Sequence, residues 1–311
     1  MKRIDDFRGQ PSVQLLTPAG DRATVLLHGA QVVSWIPAGG TERLYLSERS
    51  AYGEGSSVRG GVPVIFPQFN QRGPDFNVPR HGFARTRSWR VEQADDKDSR
   101  GDSNDGAEAT AVTDATEATE ATEAKTRLAT TASVRLALAD DAATRALWPH
   151  PFSLALTVTL GLQQLDLALR VRNTGLQPFA FTAALHTYFN VADISQASVS
   201  GLEDVRYLDT VTNLDGVGAS HPLRFDRETD NIYFDVPRPL SLSTPNGPVQ
   251  VSMQGFHDAV IWNPWVDLCA SLPDMPADGY RQMLCIEAAA IGRPVTLAKD
   301  EHWLGRQTLN L

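Results

Sequence analysis

Two side chains in this sequence sit in surroundings where a polar group is costly. Glu287 lies in MLCIEAAA, with apolar neighbours on both sides, and His186 lies in FAFTAALHTYF, at the end of an apolar run. Burying a carboxylate is unfavourable unless it is paired or functional. The same burial raises its pKa toward the range of a base working near neutral pH. A third polar residue, His81, stands in PRHGFAR, a glycine-containing loop. A carboxylate and imidazoles of moderate pKa can move protons in both directions. Taken singly, each has an equally ordinary structural reading. Glu287 reads evenly as a base or as a strand residue that is ion-paired or faces water, and a lone histidine at a strand end or in a loop is more often a satisfied structural residue.

Two arginines occupy tight loops, Arg59 in SVRGGVPVIFPQF and Arg85 in HGFAR. A guanidinium reads phosphate or carboxylate bidentately, and adjacent glycines let a ligand approach the backbone. A surface arginine closing a turn is the plainer reading of either alone. In HDAVIWNPW, Asp258, Trp262, Asn263 and Trp265 place aromatics beside polar groups, a pattern shared by carbohydrate sites and by core tryptophans. The seven histidines show no HxH or HExxH spacing, so nothing signals a metal. GxSxG, GxxxxGK[ST] and GxGxxG are absent, leaving serine-nucleophile hydrolysis, nucleotide hydrolysis and dinucleotide chemistry without their signatures. No cofactor is expected.

The elements that must position these residues are strands. Leu154, Leu156, Val158 and Leu160 alternate with Ala155, Thr157 and Thr159; beyond a turn at 161–164, Leu165, Leu167, Leu169 and Val171 alternate with Asp166, Ala168 and Arg170. That is a hairpin with one face on a core. Similar runs recur at 22–27, 31–36, 86–92, 132–139, 178–185, 248–253, 257–262, 283–289 and 302–309, and no long segment has helical spacing. Many strands without alternating helices predict an all-β sandwich or barrel, large at this length of 311 residues and read as one domain over 1–311.

The segment 95–125 differs from the rest. It holds no Leu, Ile, Phe, Trp, Tyr or Met and includes DATEATEATEA, so it is expected to be an acidic, low-complexity, disordered insertion between two strands. From Glu92 to Glu123 there are eleven acidic residues against Lys97 and Arg100, which accounts for the whole net charge of −9. The remainder is balanced and shows no basic stripe, which argues against a nucleic-acid partner. MKRIDDFRGQPSVQ does not read as a signal peptide, and no apolar run has the length of a membrane span. Cys269 and Cys285 read as core thiols. The expectation is a cytoplasmic protein without membrane contact, and a monomer.

Several segments together resemble a known family. RGGVPVIFPQF (59–69), PRHGFARTRSW (79–89), TRALWPHPF (144–152), ALHTYFNVADISQASVSGL (184–202), ETDNIY (228–233), HDAVIWNPW (257–265), DMPADGYRQMLCIEAA (274–289) and PVTLAKDEHWLGRQTL (294–309) are similar, in order and approximate spacing, to the hexose-6-phosphate mutarotase branch of the aldose 1-epimerase superfamily. The resemblance runs from about residue 20 to the C-terminus.

It implies a large antiparallel β-supersandwich of the galactose mutarotase-like type. The implied reaction interconverts the α and β anomers of a hexose 6-phosphate, most often glucose 6-phosphate, by ring opening and reclosure. By resemblance His186 is the general acid and Glu287 the base; Arg59 and Arg85 contact substrate, phosphate included; Asp230 binds substrate; His81 lies near the anomeric centre. Arg80 stands where the family usually has Gln or a small polar residue, and is placed with the substrate-binding residues. The implied partner is a small sugar phosphate. The rival readings are a mutarotase of unphosphorylated aldoses, a non-catalytic carbohydrate-binding module, and a glycosidase using Asp230 with Glu287.

Overall fold

A computed structural model describes residues 1–53, 55–71, 78–92 and 131–311. The expected acidic insertion at 95–125 lies outside the described residues. The chain folds as a large antiparallel β-supersandwich. Strands β1 (Lys2–Phe7), β2 (Gln10–Leu16), β3 (Arg22–Leu26) and β4 (Val32–Ile36) form a four-stranded meander. Its first two strands pack against β7 (Ala132–Ala139).

Two eight-stranded sheets carry the rest. The first contains, in spatial order, β14 (Leu214–Val217), β13 (Arg206–Asp209), β15 (Thr229–Tyr233), β18 (Asp258–Asn263), β19 (Met283–Leu297), β10 (Phe179–Leu185) and β5 (Val64–Ile65), with β11 (Tyr188–Asn190) also on β19. The second runs β12 (Ser198–Ser200), β16 (Leu240–Ser243), β17 (Val249–Gln254), β20 (His302–Asn310), β9 (Gln164–Asn173), β8 (Phe152–Gly161), β7 and β6 (Arg90–Val91). The expected hairpin is β8–β9, with Leu160 opposite Leu165 and Leu154 opposite Val171. Of the run at 86–92 only Arg90–Val91 is strand: Thr86 closes a single 3₁₀ turn that begins at Ala84, and Ser88 makes only an isolated bridge to His28. Among the described residues two short helices, Ala142–Leu147 and Trp265–Ser271, interrupt the sheets.

Alternation decides which side chains meet. One set from the first sheet (Phe181, Ala183, Leu185, Ile261, Leu284, Ile286, Ala288) joins inward residues of the second (Leu154, Leu156, Leu167, Leu169, Leu309) in the main core. Phe181 meets Trp303 edge to face across the gap, ring centroids 5.6 Å apart. The other face of the first sheet supports a smaller apolar cluster, Ile65, Phe69, Ala184, Ile232, Val260, Ala289 and Ile291. That second face is where the polar residues collect. Both cysteines are buried and unpaired. Among the described residues no helix is long and apolar enough to cross a membrane.

Candidate active site

Register places the site. Leu185 pairs with Ala288 and Tyr188 with Cys285, so the intervening His186 falls opposite Glu287. Opposite residues of an antiparallel pair share a face, as do residues two apart along a strand. One row across the sheet is therefore Ile232, Val260, Glu287 and His186. The next is Asp230, Trp262, Cys285 and Tyr188. Strands β15, β18, β19 and β11, with the turn that carries His186, thus deliver a histidine, two carboxyl groups and two aromatics to one patch.

The loops complete it. Arg59 precedes Gly60, whose φ is +123° and where a Cβ would stand 2.4 Å from the Tyr45 carbonyl oxygen, so the arginine loop passes too close to the Tyr45 segment for any other residue at that position. In the second loop Gly82 has φ +69°, and a Cβ there would lie 2.0 Å from the Phe66 carbonyl oxygen. His81 itself holds φ +63°. It is locked reciprocally to Asn70: its amide donates to the Asn70 carbonyl (2.9 Å), and the Asn70 amide donates to His81 Nδ1 (3.1 Å). With Nδ1 accepting, the ring proton of neutral His81 belongs on Nε2.

All seven residues expected at the site, Arg59, Arg80, His81, Arg85, His186, Asp230 and Glu287, line one cavity of about 210 Å³. Phe69, Ile232 and Trp262 supply apolar wall. His186 Nε2 stands 3.2 Å from Glu287 Oε1. Among the described residues His186 Nδ1 and Glu287 Oε2 are buried without a hydrogen-bond partner. The His186 ring stacks on Tyr188 (centroids 4.8 Å, 11° between planes), meets Trp262 edge to face at 6.1 Å, and faces His81 at 5.7 Å.

Burial, with Asp230 adding to it, holds the Glu287 carboxyl well above the usual carboxylate range against the opposing pull of Arg85. Burial, helped by Arg85 and Arg59, holds the His186 imidazole well below its usual value. His81 is depressed for the same first reason, with His186 and Arg85 adding to it. The neutral forms of Glu287 and His186 hold the same number of protons as the carboxylate–imidazolium pair. One proton moving between them therefore switches one state into the other without exchange with solvent.

The three arginines are not equivalent. Arg59 donates from Nε and Nη2 to both oxygens of Asp274 (3.1 and 3.2 Å) and from Nη1 to the Tyr188 hydroxyl (3.1 Å). Two of its five N–H groups remain. Arg85 donates from Nη2 to the Arg80 carbonyl (3.2 Å), while its buried Nε has no partner among the described residues. The side chain of Arg80 is exposed at the rim.

Tyr188, Asp274 and Asn70 were not among the sequence candidates. Tyr188 was accessible from strand alternation with His186; Asp274, 215 residues from Arg59, carried no local signal. Of the four residues in HDAVIWNPW, only Trp262 lines the cavity. Asp258 instead accepts the amides of Asp235, Ile291 and Gly292, and Asn263 bridges Tyr280, Met283 and Trp265. Among the described residues no group of three or more His, Cys, Asp or Glu is arranged to hold a metal ion.

Comparison with known proteins gives consistent matches. The family model described as "Aldose 1-epimerase" matches residues 11–310. A protein of Cenchrus ciliaris named "Putative glucose-6-phosphate 1-epimerase" is 33% identical over 294 residues, covering 93% of this chain and 80% of that one. A protein of the same name from Escherichia coli K12 is 32% identical over 285 residues, covering 90% and 83%. Among solved structures, a "putative mutarotase" from Salmonella typhimurium superposes with a TM-score of 0.80 at 27% identity, covering 99% of this chain and 92% of that one. Galactose 1-epimerase from Lactobacillus acidophilus shares the fold with a TM-score of 0.66 at 13% identity, covering 100% and 97%.

Proposed function

The chain belongs to the aldose 1-epimerase family, and from that premise we propose that its cavity interconverts the α and β anomers of a hexose 6-phosphate. The observation that carries this reading is the 3.2 Å pairing of His186 with Glu287 in a cavity that three arginines also line. The names of the relatives support the phosphorylated substrate.

In the proposed cycle the Glu287 carboxylate removes the proton from the anomeric hydroxyl while the His186 imidazolium protonates the ring oxygen. The C1–O5 bond breaks and C1 becomes an aldehyde. Glu287 is then a neutral carboxylic acid and His186 a neutral imidazole, the two forms that burial favours. Rotation about C1–C2 presents the other carbonyl face. His186 takes back the proton as the ring oxygen attacks C1, and Glu287 returns its proton to the new hydroxyl. Protons balance over the cycle.

The remaining residues bind. Asp230 accepts from sugar hydroxyls and His81 donates from Nε2. Arg80, Arg85 and the two remaining N–H groups of Arg59 receive the phosphate, for which planar forks of donors are suited. The test is anomer exchange measured by NMR with α- and β-glucose 6-phosphate beside free glucose and galactose. Acceleration for the phosphorylated sugar supports the proposal. Acceleration for free sugars alone points to a mutarotase of unphosphorylated aldoses, and none for any sugar points to a binding module.

A further inference from the structure

His186 sits where the sheet is broken, and the break has a consequence on the other face. The Thr187 amide donates back to the Leu185 carbonyl (3.0 Å), a three-residue turn centred on His186. In an unbroken ladder that amide would pair with Ile286, whose own amide still donates to the Thr187 carbonyl (3.1 Å). The turn thus takes the ladder donor away from the Ile286 carbonyl, in the fully buried interior. A buried backbone carbonyl without a donor is costly.

Gln307 fills that place. It comes from β20 in the opposite sheet and is fully buried, as is Thr187. Its Nε2 donates to the Ile286 carbonyl (3.2 Å), and its Oε1 accepts from the Thr187 hydroxyl (2.5 Å). One amide therefore ties together the two strands at the pair 187/286, directly beneath the pair 186/287. A glutamine inside a strand whose other inward neighbours are apolar has no packing reason to be polar.

We infer that Gln307 is a positioning residue for the His186–Glu287 pair, substituting for the ladder bond that the turn at His186 gives up. The inference rests on the proposed acid–base roles. It acts through Thr187 and Ile286 and needs no contact with substrate.

The test compares Gln307→Met, which keeps length and volume but removes both hydrogen bonds, with Leu167→Ala. Leu167 lies directly opposite Gln307 on β9 and is fully buried, so its truncation destabilises the same spot without touching the turn. Two readouts are taken: anomer exchange of glucose 6-phosphate split into kcat and KM, and the imidazole ¹⁵N resonances of His186, assigned by their loss in His186→Asn. Gln307→Met is expected to lower kcat about tenfold or more with little change in KM, as small misplacements of reacting groups do, and to move the His186 resonances. Leu167→Ala lowers the melting temperature and leaves both readouts at wild type. Thr187→Val, which removes only the hydroxyl, shifts both in the same direction by less, and decides the matter should Gln307→Met not fold. Wild-type kcat and unmoved His186 resonances in Gln307→Met, or in Thr187→Val where that variant decides, overturn the inference. Absence of exchange in the wild type would instead overturn the functional proposal, and the resonances would still judge Gln307.

Discussion

Asp274 holds one edge of the Arg59 guanidinium with both oxygens, Oδ2 3.1 Å from Nε and Oδ1 3.2 Å from Nη2. The contact joins the loop before β19 to the loop before β5, and Arg59 passes it on through Nη1 to the Tyr188 hydroxyl beneath the His186 ring. The position of the His186 ring is thereby coupled to the Arg59–Asp274 ion pair.

Removing either member leaves the other half-buried and without its charged partner. Asp274→Ala and Arg59→Ala are each expected to lower stability by about 1–3 kcal/mol, the usual scale for charge-assisted hydrogen bonds. The double variant should cost less than the sum, because the second deletion finds the pair already broken. Urea denaturation of the four proteins measures this; strict additivity would show that the pair is energetically idle.

Glu287→Gln separates function from stability. The proposed base is lost, so anomer exchange should fall by at least about 10²-fold. The fold should hold as well as wild type or better near neutral pH, because an amide of the same shape does not carry the burial cost that holds the Glu287 carboxyl out of its usual range. Exchange rate and melting temperature on one preparation check both halves. Full rate in a folded variant removes Glu287 from the mechanism.

The histidines set an acid limit. An imidazole in the unfolded chain takes up a proton as the pH falls below about 6.5, whereas burial keeps folded His81 and His186 neutral well below that. The unfolded state then binds more protons, so stability is present above about pH 6.5 and is lost on acidification, by up to about 1.4 kcal/mol per pH unit for each histidine. His81→Gln, whose side-chain oxygen can still accept the Asn70 amide, should shed one such slope. Denaturation at about pH 7 and about pH 5 tests this: the stability of the variant relative to wild type should rise toward acid, and a constant difference would refute it.

How legible this was depended on range. Alternation of apolar residues gave the β8–β9 hairpin and most of the central strands, because each signal lies within one short run. The apolar run read at 283–289 is only the first half of its strand, since β19 continues to Leu297. Asp258 secures the amides of Ile291 and Gly292, and the extra residues of β19 bulge opposite Thr182, where its pairing with β10 shifts register between Phe181 and Ala183. Glu287 and His186 were recognisable as costly polar residues, but that they face one another is a matter of register between strands a hundred residues apart. Asp274 and Gln307 were silent for the same reason: their meaning lies entirely in partners from distant strands and loops.

Under the proposed function, Arg85 is the residue expected to decide substrate choice. It is largely buried beside the His186–Glu287 pair, its Nε lacks a partner among the described residues, and burial lowers its pKa from the usual arginine value, so an anion is the ligand that best satisfies it. Arg59 has most of its donors on Asp274 and Tyr188, and Arg80 is exposed to water, where an ionic contact is weak. Arg85→Ala should therefore raise KM for glucose 6-phosphate by roughly 10–100-fold, the equivalent of one or two charge-assisted hydrogen bonds. Arg80→Ala should raise it only a few-fold and leave whatever slow exchange the protein supports with free glucose unaltered, whereas Arg85→Ala, which also changes the charge beside Glu287 and His186, should raise KM far more for the phosphorylated than for the free sugar. Equal losses for the phosphorylated and free sugars in Arg85→Ala would mean that this arginine shapes the cavity without reading the phosphate.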